Sequence, residues 1–329
     1  MTGVGSTKAE NALISGGTGF FGAALLRERQ RHKPDGFCVT VLSRDPAGFA
    51  ARRPELASTV NWLMGDVLRI GVSDNLGQFT HVLHAATDST SAAHLSYLER
   101  YDQIVAGTRQ MLDFAVQCGA RRFLITSSGG VYGRPPSALT AIPEDYFGMP
   151  DPLHVRNVYS VAKRAAEHLC ALYAAEYGLE IVIARCFSFV GEDLPLNVHF
   201  AIGNFIRDAL WADEIVVNGD GTPIRSYLDQ RDLAHWLMTL LRDGKAGEAY
   251  NVGSDRKISI ADLAHLVRDL VSPDKPVRIL AKPVDNAERS RYVPDISKIH
   301  SHLGLRPTYT LEQSILDTAA AARARGKPS

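Results

Sequence analysis

Tyr159-Ser160-Val161-Ala162-Lys163 sets a phenol four residues before an ammonium, a spacing that puts both on one face of a helix. An unperturbed phenol titrates near ~10, out of reach for a base at neutral pH. A cation held beside it favours the phenolate, so the pair can take and return a proton. Upstream, Thr126-Ser127-Ser128 ends the fifth expected strand, at the carboxyl edge where α/β ligand crevices lie. On its own a Tyr/Lys pair at this spacing is common by chance and usually means a half-buried tyrosine beside a solvated lysine. Its weight comes from a glycine turn, Ser15-Gly16-Gly17-Thr18-Gly19-Phe20-Phe21-Gly22, directly after the first apolar strand.

In such a turn Gly16, Gly19 and Gly22 have separate tasks. One permits the tight turn, one admits a pyrophosphate to the backbone, and one lets the following helix pack on the strand. The free N–H groups at the helix start then face a diphosphate. A nicotinamide dinucleotide is the expected cofactor. The second strand ends Val41-Leu42-Ser43-Arg44. An acid at this place serves the ribose hydroxyls of NAD, whereas an arginine can grip a 2′-phosphate bidentately. Ser43 carries no charge to repel that phosphate, so Arg44 favours NADP. NAD is the alternative, and a solvated surface arginine is the plainer account of Arg44. Asp66, in Gly65-Asp66-Val67 after the third strand, could accept from an adenine amine or cap a helix.

These residues need a frame that brings strand ends together. Short β-branched runs at 12–15, 38–42, 60–64, 81–85, 123–127 and 181–186 alternate with helical patterns at 23–31, 95–118 and 161–177. That alternation implies an α/β fold, a Rossmann-type doubly wound parallel sheet with helices on both faces. After Cys186 the alternation weakens, with turns at Gly219-Asp220-Gly221-Thr222-Pro223 and helices expected at 204–211, 233–242 and 260–270. The tail over 295–325 reads as helical. The expected division is 1–187 plus 229–258 for the dinucleotide domain, and 188–228 plus 259–329 for a smaller, partly discontinuous substrate domain.

The 329 residues, 45% hydrophobic and 22% charged, suffice for both cores. With 36 acids against 36 bases there is no electrostatic footprint for nucleic acid or an anionic membrane. Cys38, Cys118, Cys170 and Cys186 are scattered, without metal-ligand spacing, which predicts reduced thiols, no metal site and a cytoplasmic location. Residues 1–11 lack the apolar core of a signal peptide, and no apolar run is long enough for a membrane span.

The motifs together resemble the extended short-chain dehydrogenase/reductase family, the NAD-dependent epimerase/dehydratases, over nearly the whole chain. Its marks are Gly16-x-x-Gly19-x-x-Gly22, His84-Ala85-Ala86, Gly107-Thr108, Ser127-Ser128-Gly129-Gly130-Val131-Tyr132-Gly133, Tyr159-x-x-x-Lys163, Gly219-Asp220-Gly221 with Arg225, and Asp229 through Asp232. The resemblance implies Ser128, Tyr159 and Lys163 as the catalytic trio, with Tyr159 moving the proton. It implies cofactor contacts from Phe20, Phe21, Val67, Ala85 and Ala86, and a nucleoside-diphosphate sugar between the two domains. Arg225 matches a diphosphate-binding arginine, and Arg291, before Tyr292-Val293-Pro294-Asp295, is read as a second; surface ion pairing is the plainer account of both. Gly129, Ser188 and Asn204 complete the implied substrate contacts, with a helix N-cap the alternative for Asn204. Family members also dimerise through two helices, here 95–118 and 161–177.

Departures narrow the reading. Dehydrating members carry Asp-Glu after the catalytic Ser/Thr, and related decarboxylases keep the glutamate; here the positions are Gly129 and Gly130. Ile104 and Ser188 stand where many relatives have asparagine. The expectation is an NADPH-dependent reductase of a 4-keto-6-deoxy sugar nucleotide, with a 4-epimerase holding NAD as the alternative. A non-catalytic cofactor-binding relative and a small-carbonyl dehydrogenase follow behind.

Overall fold

The computed structural model describes residues 10–31, 37–71, 78–87, 95–282 and 290–327. The expectation for residues 1–11 therefore falls almost entirely outside the described residues.

The first half lays down six strands: β1 (Glu10–Ser15), β2 (Phe37–Ser43), β3 (Asn61–Met64), β4 (His81–His84), β5 (Arg122–Ser128) and β6 (Glu180–Cys186). Between them run α1 (Phe20–Arg31), α2 (Pro46–Arg52), α3 (Pro54–Ala57), α4 (Tyr97–Gln117) and α5 (Val158–Tyr177). After β6 come β7 (Phe189–Val190), α6 (Ala201–Trp211), β8 (Ile215–Val217), β9 (Ile224–Arg225), β10 (Leu228–Asp229), α7 (Gln230–Asp243) and β11 (Glu248–Val252). The chain ends with β12 (Ile258–Ser259), α8 (Ile260–Val271), β13 (Val277–Ile279), β14 (Arg291–Tyr292), α9 (Ser297–Leu303) and α10 (Leu311–Arg325).

Seven strands form one sheet in the order β11-β6-β5-β4-β1-β2-β3, every pairing parallel. This is the doubly wound α/β arrangement, with the order reversing between β1 and β4. At that reversal two chain directions diverge and leave a crevice beyond the carboxyl ends of the strands. Every residue of β4 and β5 is buried, because helices cover both faces. One core packs α1 and α7 on one face through Leu26, Leu233, Trp236 and Leu240; the other packs α4 and α5 through Met111, Phe114, Ala166 and Tyr173.

A third core lies in the smaller unit, where α6, α8 and α10 join through Ile202, Phe205, Leu263, Val267 and Ile315. The chain returns to the main sheet for α7 and β11, so the smaller unit is discontinuous. Ile296, Ile299 and Leu305, assigned to the second domain from sequence, instead join the first core. The tail is not one helix: Gly304 at φ 69° ends α9, and Thr310 with Gln313 restarts the chain as α10 through a capping box. All four cysteines are free thiols. Among the described residues, no helix is long and apolar enough to cross a membrane.

Candidate active site

β1 delivers the chain to Gly16 at φ 79°. A Cβ there would lie 2.6 Å from the carbonyl of Ala85, so only glycine lets β1 and β4 end side by side. Gly19 donates to the Gly16 carbonyl at 3.1 Å, and α1 begins one residue later. Gly22 packs the helix back on the turn, since a Cβ would overlap the Gly17 backbone at 2.2 Å. Gly19 meets nothing closer than 3.5 Å, which leaves its face open to the cleft.

That cleft, about 1140 Å³, runs from the glycine turn to the smaller unit. Gly16, Gly19, Phe20, Phe21, Ser43, Arg44, Asp66, Val67, Ala85, Ala86, Ser128, Tyr159, Lys163, Ser188 and Arg225 all line it. The fit to a dinucleotide is good: an extended groove, a glycine turn open at Gly19, and a helix N-terminus beside it. Asp66 caps no helix; its carboxylate accepts from the Leu68 amide at 2.9 Å in a local turn.

The structure does not bring Gly22, Gly129, Asn204 or Arg291 to the cleft surface. Asn204 lies within α6 rather than at its cap, and its side-chain Oδ1 accepts from Arg207 at 3.0 Å. Arg291 is turned away by strand pairing. β14 runs parallel to β9 with Tyr292 opposite Arg225 and Arg291 opposite Ile224. Neighbours on a strand point to opposite faces, so Arg225 and Tyr292 face the cleft together. Arg291 donates instead to the Ser137 carbonyl. The expected convergence of two arginines is corrected to one arginine and one tyrosine.

At the sheet's carboxyl edge the trio assembles. Ser128 ends β5, and its Oγ accepts from the Gly130 amide at 3.1 Å. Lys163 is buried and donates to the Thr126 carbonyl at 2.7 Å and to Thr87 Oγ1 at 2.8 Å. Its Nζ lies 6.0 Å from the centre of the Tyr159 ring. Burial pulls the Lys163 ammonium down to about 8. Burial also pushes the Tyr159 phenol up, and Tyr292 and Cys186 add to that; the Ser128 hydroxyl and the Arg100 guanidinium oppose it. Behind the glycine turn, Ser15 Oγ and His84 Nδ1 share a buried hydrogen bond of 2.7 Å.

Sequence reasoning missed the residues that support this trio. Glu167 continues the face of Tyr159 and Lys163 by one more turn, so the spacing of four was a signal. It accepts from Ser127 Oγ at 2.5 Å and from Arg185 at 2.8 Å. Arg185 donates to Tyr132 at 3.0 Å, and Tyr132 to Asn251 at 2.8 Å. This buried network locks the ends of β5, β6 and β11 against the turn that carries Ser128. Tyr292 OH comes to 3.4 Å from Ser128 Oγ, and its ring lies 4.7 Å from that of Phe187. These two side chains fill the space beside Gly129, where a Cβ would meet both at 2.8 Å. At Gly130 a Cβ would lie 2.5 Å from Ser160 Oγ.

Comparison with known proteins agrees with this architecture. A family model described as the NAD dependent epimerase/dehydratase family matches residues 12–253. The chain belongs to that family. It is 28% identical over 305 residues to UDP-glucuronic acid decarboxylase 6 of Arabidopsis thaliana, covering 92% of this chain and 86% of the relative. UDP-glucuronic acid decarboxylase 1 of Danio rerio is also 28% identical, over 308 residues, 93% of this chain and 71% of the relative. Among solved structures, UDP-glucose 4-epimerase of Thermotoga maritima with UDP-glucose has a TM-score of 0.80 at 22% identity, covering 96% and 99% of the two chains. UDP-glucuronic acid 4-epimerase of Bacillus cereus, with UDP-glucuronic acid and NAD, has a TM-score of 0.81 at 22% identity, covering 96% and 100%. These likenesses carry the fold.

Proposed function

We propose that the protein is a nucleotide-sugar oxidoreductase that reduces a 4-keto-6-deoxy nucleoside-diphosphate hexose, with NADPH as cosubstrate. The carrying observation is one cleft with the glycine turn at one end and Ser128, Tyr159 and Lys163 further along it, and no acidic side chain at 129 or 130. Dehydration needs acid–base groups at two further carbons, each within about 2.6–3.2 Å of its proton or one water away. Phe187, Tyr292 and Ser160 crowd the places where such side chains would start. The missing carboxylate argues against carrying over the decarboxylase activity of the curated relatives, since Gly130 stands where decarboxylases keep a glutamate.

The glycine turn, Phe20, Phe21, Val67, Ala85 and Ala86 would hold the dinucleotide, with Arg44 beside the adenosine ribose. Bound there, reduced nicotinamide supplies a hydride. Tyr159 gives the proton to the ketone oxygen, and Ser128 hydrogen-bonds that oxygen. Lys163 stabilises the phenolate left behind. Arg225 would hold the diphosphate, with Ser188 lining the same end of the cleft. In domain terms, residues 1–187 and 229–258 carry the dinucleotide, and 188–228 with 259–329 the sugar nucleotide, segment 296–305 packing on the first.

A 4-epimerase using retained NAD needs the same trio, and the fold likeness to two 4-epimerases favours it as the second reading. The test incubates purified protein with preformed 4-keto-6-deoxy and with plain hexose nucleotides on dTDP, GDP, UDP and CDP. Stoichiometric loss of NADPH with a 4-keto-6-deoxy nucleotide is expected. Interconversion of C4 epimers without net NADPH loss would replace this reading by the second, and a 4-keto-6-deoxy product from a plain hexose would refute both.

A further inference from the structure

From the geometry around the phenol we infer that Arg100 is a positioning residue for Tyr159: its guanidinium, held over the ring, favours the phenolate together with Lys163. The inference rests on the proposed role of Tyr159 as the proton-transfer residue.

Arg100 Cζ lies 5.5 Å from the centre of the Tyr159 ring, as close as Lys163 Nζ at 6.0 Å. Both lie within the range at which a cation is attracted to an aromatic ring. The attraction grows when the ring becomes a phenolate, because opposite full charges then face each other. Arg100 sits one turn into α4, whose start is fixed by a capping box between Ser96 and Glu99. The neighbouring acid is thereby engaged: Glu99 accepts from the Ser96 amide at 2.7 Å. Arg100 Nε is buried and has no hydrogen-bond partner among the described residues.

Among the described residues, the groups facing Tyr159 come from five elements: Lys163 on α5, Ser128 on β5, Cys186 on β6, Tyr292 on β14 and Arg100 on α4. His199, which faces Arg100, is kept low by burial and then by that arginine, so it adds no charge at neutral pH and above. Lys163 differs from Arg100 in one respect that matters. Its ammonium is held down to about 8 and gives up its proton in mild alkali. A guanidinium does not deprotonate in proteins. Of the two described cations at Tyr159, Arg100 is therefore the one whose charge persists across the working pH range.

The test titrates near-ultraviolet phenolate absorbance in the full chain, with and without added oxidised NADP, for wild type, Arg100→Met and Arg100→Lys. Subtracting the Tyr159→Phe curve isolates one phenol among eleven tyrosines. The Tyr159 midpoint should rise by about one pH unit in Arg100→Met, roughly a tenfold loss of phenolate at fixed pH, and stay near wild type in Arg100→Lys. Superimposable curves for wild type and Arg100→Met, including no Tyr159 titration in either, would overturn the inference. So would an unmoved midpoint with a raised KM for the sugar nucleotide, which would make Arg100 a substrate contact. Turnover by Tyr159→Phe tests the proposed function separately, since the titration requires no substrate.

Discussion

Two side chains carry separable predictions. Tyr159→Phe removes the proposed proton-transfer group while leaving the glycine turn and Arg44 in place. Turnover should fall by about 10²–10⁴, the usual contribution of general acid–base help, with dinucleotide affinity nearly unchanged. Near-normal rates on the true substrate would remove Tyr159 from the chemistry. Arg44 lines the cleft just beyond β2, where a 2′-phosphate would lie. Arg44→Ala should weaken NADPH binding by about 1.5–3 kcal/mol, the value of a hydrogen bond to a charged group, and NADH binding much less. Titration calorimetry with both cofactors decides it; equal losses, or a wild type preferring NADH, would leave NAD as the cofactor.

Among the elements, the β1–turn–α1 unit is the least tolerant of change. Gly16 combines a left-handed backbone with a close approach to Ala85, so Gly16→Ala meets both strain and overlap. The variant should lose measurable dinucleotide binding and show a lowered melting temperature by circular dichroism. Gly19→Ala meets ordinary contacts only, so it should keep its melting temperature while binding suffers. Were both variants equally destabilised, the separation of tasks between the two glycines would be wrong. The pairing of β9 with β14 shows the same logic at a smaller scale, where one register decides which of Arg291 and Tyr292 meets the cleft.

For the whole molecule, ionic contacts tie the two units together. Asp193 follows β7 and accepts from Arg27 and Arg53, each at 2.7 Å, and from Gln230 at 3.1 Å. Its side chain is 3% exposed, whereas the arginines keep 18% and 25%. Asp193→Ala should cost about 3 kcal/mol in urea unfolding, the low end for breaking a buried pair because both arginines can rehydrate. A loss near zero would mean that water replaces the carboxylate without cost. Acid stability depends on His84, which burial, then the charge of Lys163, pulls down to about 3. Between that value and ~6.5 the unfolded chain binds a proton that the folded chain does not, so stability falls as pH falls through this window. Unfolding free energies measured across the window should fall more steeply for wild type than for His84→Asn, by roughly 1.4 kcal/mol per pH unit. Parallel curves would show that His84 is charged in the native state.

The local motifs of the candidate site were legible in the residues. A glycine turn between a strand and a helix depends on neighbours within eight positions, and so does a tyrosine one helical turn from a lysine. The alternation of strands and helices likewise announced a parallel sheet, because each parallel step needs a crossover. What the sequence could not decide were facings set by distant partners. Whether Arg291 or Tyr292 enters the cleft depends on register with β9, more than sixty residues away, and a slip of one residue exchanges them. No motif marks Arg100 in the sequence; the packing of α4 on α5 brings it over the Tyr159 ring. The network from Ser127 through Glu167 and Arg185 to Asn251 likewise joins three strands and a helix. Apart from the four-residue spacing of Tyr159, Lys163 and Glu167, no periodicity records it, since buried polar groups choose partners by proximity in space and not by spacing along the chain.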